Sequence, residues 1–331
     1  MKRIVILGTG GTIAGQARSA ADNTGYVAGT IAVADLIAAV PPLSAFAIDA
    51  EQVAQSDSKD MTFAIWRALA QRVAHHLARE DVAGIVITHG TDTLEETAFF
   101  LHRVLAPAKP VVLTAAMRPA GALAADGPQN LLDAVRLAAS PEASGVLVCM
   151  AGSVHAGCEV RKAHPYRVDA FDSGDAGPLG YIEEGVLRRL RDWPRGDALG
   201  LARVLCEDWP RVDIVLNYAG ADGALVDALC ALGARGIVAA GTGNGTLGAP
   251  LEAALLRAQA GGVAVLRTSR TARGSVIDTR GAGLPGASAL TPVQARVELM
   301  LRLMWHLTAG LPGCTYVRPS RHIVNFAQPR R

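Results

Sequence analysis

Threonine hydroxyls at the ends of apolar runs are the residues of this chain best placed to do chemistry. Ile4 to Leu7 is a short apolar run, and Gly8-Thr9-Gly10-Gly11-Thr12-Ile13-Ala14-Gly15 follows it. Glycines before Thr12 let the backbone turn sharply and let a small molecule approach the main chain. A second apolar run, Gly84 to Thr88, leads into His89-Gly90-Thr91-Asp92-Thr93. Open parallel sheets bind ligands at the C-terminal ends of their strands. Two such tips bearing hydroxyls therefore point to one site for acyl chemistry. A threonine hydroxyl is a weak nucleophile at neutral pH and needs a base or a polarised neighbour. Tyr26, on a glycine-flanked loop, is the candidate to close over Thr12 and supply that oxygen. Lys162 can accept a proton from a hydroxyl where a partly dry site lowers its pKa. Asp92 either caps the helix containing Glu95 and Glu96 or serves the site, holding a substrate ammonium or orienting a lysine. His89 could serve as a general base, but histidines beside glycine turns are often structural, and no catalytic role is assigned to it.

These tips need a sheet beneath them. Candidate strands are Ile4–Leu7, Gly84–Thr88, Val111–Ala115 and Gly145–Met150, with helices near Thr62–Arg79, Glu95–Val104 and Gln129–Ala139. Continuous Val/Ile/Leu runs separated by helices predict a parallel sheet covered on both faces. Asp126-Gly127-Pro128 reads as a cap followed by a proline in the first turn. Near Glu183 the composition turns rich in Arg, Asp, Glu and Pro, with no clear strand as far as Arg211. A second alternation follows, with strands at Val212–Tyr218, Gly236–Gly241 and Val263–Ser269 and helices at Gly223–Leu232 and Leu251–Ala260. Thr291, Pro292 and Gln294 form a capping-box signature for a last helix. The expected fold is α/β, with two domains that are each a largely parallel sheet flanked by helices. The N-terminal catalytic domain spans 1–185 with flavodoxin-like topology, a linker spans 186–211, and a smaller C-terminal domain spans 212–331.

The chain has 331 residues and a formal net charge of +2, with no long basic block. Nucleic acid is an unsuitable partner for such a surface, and aromatics at 5% leave few stacking platforms. No run approaches the ~20 apolar residues of a membrane span. No signal-peptide pattern precedes the first strand. The five cysteines, Cys149, Cys158, Cys206, Cys230 and Cys314, show no metal-like pairing and read as reduced thiols. The expectation is a cytoplasmic protein. His155, Glu159 and His164 match no standard metal spacing. The Gly8–Thr12 loop lacks the helix that a dinucleotide fingerprint requires directly after its glycines.

The chain resembles the bacterial L-asparaginases, the asparaginase/glutaminase amidohydrolases. The markers are "TGGTIAG" around Thr12, "QSDSKDM" at Gln55–Met61, "ITHGTDTLEETAFFL" at Ile87–Leu101, "AAMRP" at Ala115–Pro119 and "ADGPQNL" at Ala125–Leu131. Lys162, "GPLGYI" at Gly177–Ile182 and "GTGNGTL" at Gly241–Leu247 complete the set. The resemblance implies that Thr12, beside Gly11, is the nucleophile, and that Tyr26 assists it. Thr91, Lys162 and Asp92 would form a second relay. Ser58 would grip the substrate α-carboxylate, Asp92 its α-ammonium, and the Ala116 backbone the side-chain amide. It further implies hydrolysis of L-asparagine to L-aspartate and ammonia, without cofactor or metal. The implied assembly is a homotetramer of close dimers, each site completed by a neighbour's C-terminal domain.

Some positions depart from that pattern. Lys59 stands where glutamine is usual, and an ammonium donates but cannot accept. It would repel the substrate ammonium or pair with a carboxylate. The stretch after Ser269 lacks the family's glutamate, Asp278 being the nearest candidate. Thr246 replaces a frequent asparagine, and residues 313–331 extend beyond the usual end. The changes at Lys59, after Ser269 and at Thr246 touch recognition more than hydrolysis, and asparagine is expected to be preferred over glutamine. Rival readings are a catalytically weak amino-acid sensor on the same fold and an amidotransferase-associated amidase subunit.

Overall fold

The computed structural model describes residues 2–17, 19–277 and 283–308. Asp278 and the 313–331 tail lie outside the described residues. The chain divides into two compact units, Met1–Leu201 and Ala202–Arg331.

Five strands build the parallel core of the first unit's sheet. In spatial order they are Ile48–Ser56, Arg3–Gly10, Val82–Thr88, Pro110–Thr114 and Gly145–Met150. All four neighbour pairs are parallel. In chain order that is 2-1-3-4-5, the flavodoxin-like arrangement, whose crossover falls between the first and third strands. The four strands after Ile48–Ser56 in that order are buried on both sides because their residues alternate between two helical layers. Ile4, Ile6 and Val86 share one core cluster with Val33 and Leu36 of helix Val33–Ala38, and with Leu131 and Val135 of helix Gly127–Ala139. Helices Phe63–Leu77 and Leu94–Leu105 pack against the sheet and each other, with the Trp66 and Phe100 rings stacked 4.8 Å apart.

Three antiparallel strands, Ser153–Ala156, Gly180–Glu183 and Val186–Arg189, extend the sheet beyond Gly145–Met150. Sequence patterning does not announce them, nor Ile48–Ser56. Ser153–Ala156 is buried but only four residues long, the strands beyond it are partly wetted, and Ile48–Ser56 alternates partly buried with exposed residues. The stretch expected to be a linker thus begins with a strand. Val186–Arg189 carries Arg188 and Arg189, charges that keep an open edge from pairing with another chain.

The second unit has a three-stranded parallel sheet, Val212–Leu216, Gly236–Gly241 and Ala264–Ser269, in chain order. Helices Ala224–Ala231, Ala249–Ala260 and Pro292–Thr308 accompany it. Val226, Ile237, Leu251, Leu255 and Val265 form its core. The capping box is reciprocal. Gln294 N–H donates to Thr291 Oγ1 at 3.3 Å, and Thr291 N–H donates to Gln294 Oε1 at 3.1 Å.

Candidate active site

Register brings the hydroxyls together. Gly8 lies beside Thr88, and Thr88 beside Thr114, so the three chains leave the sheet at one level. The first tip then kinks. Gly11 adopts a φ of 81°, and a Cβ there would stand 2.3 Å from the Cα and N of Gly90. Only glycine permits this contact, and it presses the two hydroxyl-bearing tips against each other. Thr12 follows in a single 3-10 turn and is buried. Its Oγ1 lies 2.6 Å from Tyr26 Oη. Tyr26 arrives on a small hairpin in which Gln16–Ala17 pairs with Tyr26–Val27. Its ring lies over Gly15, where a Cβ would come within 2.8 Å of Tyr26 Cδ2.

At the second tip Lys162 Nζ donates to Thr91 Oγ1 at 3.0 Å and to Asp92 Oδ1 at 2.6 Å. Lys162 reaches there from a two-residue ladder, Arg161–Lys162 against Phe171–Asp172. Thr91 is buried and Asp92 exposed. Asp92 therefore serves the lysine and does not cap the helix. Ser58 lies against this tip. Its Oγ accepts from Asp92 N–H at 3.1 Å, and its carbonyl accepts from Thr93 Oγ1 at 2.7 Å. Lys59 turns to its own loop, where its ammonium pairs with Asp57 and lies 3.6 Å from Asp60. Of the two expectations for Lys59, repelling a substrate ammonium or pairing with a carboxylate, the structure shows the pairing.

Ala116 is buried in the loop after Pro110–Thr114. Two residues assigned no role at the site from sequence hold that loop. Asp126 accepts from Met117 N–H and Arg118 N–H, each at 3.0 Å. Asn130 Nδ2 donates to the Ala115 carbonyl at 3.0 Å. Asp126 stands at the N-cap of helix Gly127–Ala139 yet makes no capping bond. Its carboxylate serves amides nine and eight residues back, so the spacing of Asp-Gly-Pro gives the right helix start and the wrong partner. Glu95 is another group that sequence reading passed over. It sits in the first turn of helix Leu94–Leu105 and accepts from the Lys162 main chain. Burial first, and then Glu96, push its carboxyl up to about 7.

The other candidates disperse. Glu159 pairs with Arg191, His164 Nδ1 accepts from the Tyr166 and Arg167 amides, and His155 contacts Ser173. Among the described residues no three His, Cys, Asp or Glu side chains gather as metal ligands. In the second unit the Gly241–Leu247 loop closes on itself, with Thr246 Oγ1 donating to the Thr242 carbonyl at 2.9 Å.

The chain thus gathers hydroxyls and a lysine–carboxylate pair at the crossover of a flavodoxin-like sheet, an arrangement suited to acyl chemistry. Comparison with known proteins places it further. Residues 3–194 match the asparaginase N-terminal family model, and residues 211–309 match the glutaminase/asparaginase C-terminal domain. The chain is 39% identical to L-asparaginase 2 of Bacillus subtilis, over 92% of this chain and 83% of that protein. It is 40% identical to L-asparaginase 2 of Escherichia coli, over 92% and 89%. The crystal structure of a probable cytoplasmic L-asparaginase from Campylobacter jejuni superposes with a TM-score of 0.87 at 40% identity, covering 92% of this chain and 95% of that one. The chain belongs to the asparaginase family. Among the described residues no helix is long and apolar enough to cross a membrane.

Proposed function

We propose that the chain hydrolyses L-asparagine to L-aspartate and ammonia through an acyl-enzyme on Thr12. The observation that carries this reading is the pairing of Thr12 Oγ1 with Tyr26 Oη at 2.6 Å, beside a second hydroxyl held by Lys162. Thr12 Oγ1 attacks the carboxamide carbon as its proton passes toward Tyr26. The C–N bond breaks, and ammonia leaves with the proton it requires. Water, activated through the Thr91–Lys162–Asp92 group, then cleaves the ester and returns Thr12. Gly11, Ser58, Asp92 and the Ala116 backbone hold the substrate, and Lys59 shapes the charge beside Ser58. Main-chain donors near the two tips stabilise the oxyanion, each worth ~10²–10³ in rate. The chain works in the cytoplasm as a homotetramer of close dimers whose C-terminal domains complete neighbouring sites.

Ammonia release by purified protein tests the reaction, and Thr12→Ala is expected to abolish it. Full turnover by the alanine variant would show that the nucleophile is another group. No release by the native protein would favour the amino-acid sensor. Asparagine is expected to be turned over more efficiently than glutamine, with glutaminase activity minor. Equal kcat/KM on the two amides defeats that preference.

A further inference from the structure

His89 is a buried polar group beside the site to which the proposed reaction gives no task. It follows strand Val82–Thr88, and its imidazole is fully enclosed. Burial pushes the ring down to about 4, so it is neutral near pH 7. Nδ1 lies 2.7 Å from the Gly90 carbonyl oxygen. A carbonyl only accepts, so Nδ1 carries the proton. Nε2 must then accept, and Thr97 Oγ1 lies 3.0 Å away. Thr97 Oγ1 itself receives the Trp66 indole N–H at 2.8 Å. An indole only donates, so every bond runs in one direction. The sense is Trp66 to Thr97, Thr97 to His89, and His89 to Gly90. All three side chains are buried, and bonds aligned in one sense polarise one another.

The chain of bonds ends on the peptide whose nitrogen belongs to Thr91. That peptide has little room. A Cβ on Gly90 would stand 2.5 Å from Ser58 Oγ and 3.1 Å from Gly11 Cα. A small rotation of the Gly90 carbonyl would therefore disturb three things at once: the Thr91 hydroxyl that meets Lys162, the Asp92 amide bound to Ser58, and the contact between the two tips.

We propose that Trp66, Thr97 and His89 form a positioning relay that fixes the Gly90–Thr91 peptide for the Thr91–Lys162 contact. The inference rests on the reaction proposed above. His89 exchanges no proton with substrate, and its imidazole acts as a directional strut.

Thr97→Val keeps the shape of the side chain while removing the donor to His89 and the acceptor for Trp66. Thr97→Ser restores both. The valine variant is expected to lose ~10-fold in kcat on asparagine with KM changed less than about twofold, while the serine variant stays within about threefold of native. His89→Asn, which retains a donor near the Nδ1 position, is expected to keep more kcat than His89→Gln, which does not. A valine variant with native kcat, or a serine variant as slow as valine, overturns the relay. Nitrogen-15 NMR of the histidine ring gives a readout that does not depend on turnover. Native protein should show His89 protonated at Nδ1 and bare at Nε2 around neutral pH, and the opposite tautomer overturns the proposal. If the native protein releases no ammonia while His89 shows the expected tautomer, the reaction fails and the hydrogen-bond chain stands.

Discussion

Lys162 touches two carboxyl groups in different ways. Its ammonium donates to Asp92, while its main chain donates to Glu95. The two acids sit three residues apart in sequence, yet only Glu95 is drawn into the protein. Burial and Glu96 raise its carboxyl to about 7, with Arg161 and Lys162 opposing. An unfolded glutamate titrates near ~4.3. Between roughly pH 4.5 and 7 the folded chain therefore keeps a proton that the unfolded chain has released. By linkage, stability from this group falls as pH rises through that window and is fully lost above it. Glu95→Gln should flatten this slope. The Tm difference between about pH 5 and pH 8 is expected to be smaller in the variant than in the native protein. Identical differences would mean that Glu95 titrates as an ordinary surface acid. Neither the burial nor the lysine main-chain contact is visible from "LEETAFFL", because burial is a property of the packed fold and Lys162 lies about 70 residues further along the chain.

Among the elements, the turn before helix Gly127–Ala139 shows how a local rule and a tertiary contact diverge. Proline in the first turn sets the helix start, as its fixed φ dictates. The Asp126 side chain does not cap that helix and instead ties down Met117 and Arg118. Asp126→Ala leaves both amides without their acceptor. The expected cost is about 1–3 kcal/mol, read as a lower urea midpoint. Activity should fall further than stability alone explains, since the loop that carries Ala116 loosens. Loss of stability with unchanged kcat would confine Asp126 to a structural role. Helix Phe63–Leu77 shows the opposite case. Thr62 Oγ1 accepts from Ile65 N–H at 3.3 Å, the cap its position promises. Its buried face of Trp66, Leu69, Ala70 and Val73 follows helical spacing.

At the scale of the molecule, two units each bury their own parallel sheet. The proposed homotetramer predicts a light-scattering mass about four times that of the chain. A monomeric mass in an active preparation would remove the neighbour's contribution from the proposed site. Much of this organisation follows from the amino-acid sequence by itself. Apolar runs of strand length, separated by amphipathic helices, specify covered parallel strands, and glycine-rich tips specify where the chain must turn. Thr12, Thr91 and Asp92 are legible because a strand-end position is a local property. Other features are decided by the tertiary structure alone: the added edge strands, Asp126 turned to the loop before it, Glu95 under Lys162, and the direction of the bonds through His89. Each depends on which donor lies nearest in space to which acceptor. That choice is made in space, among partners from 8 residues apart for His89 and Thr97 to 31 for Trp66 and Thr97, and the hydrophobic pattern that builds the elements carries no information about it.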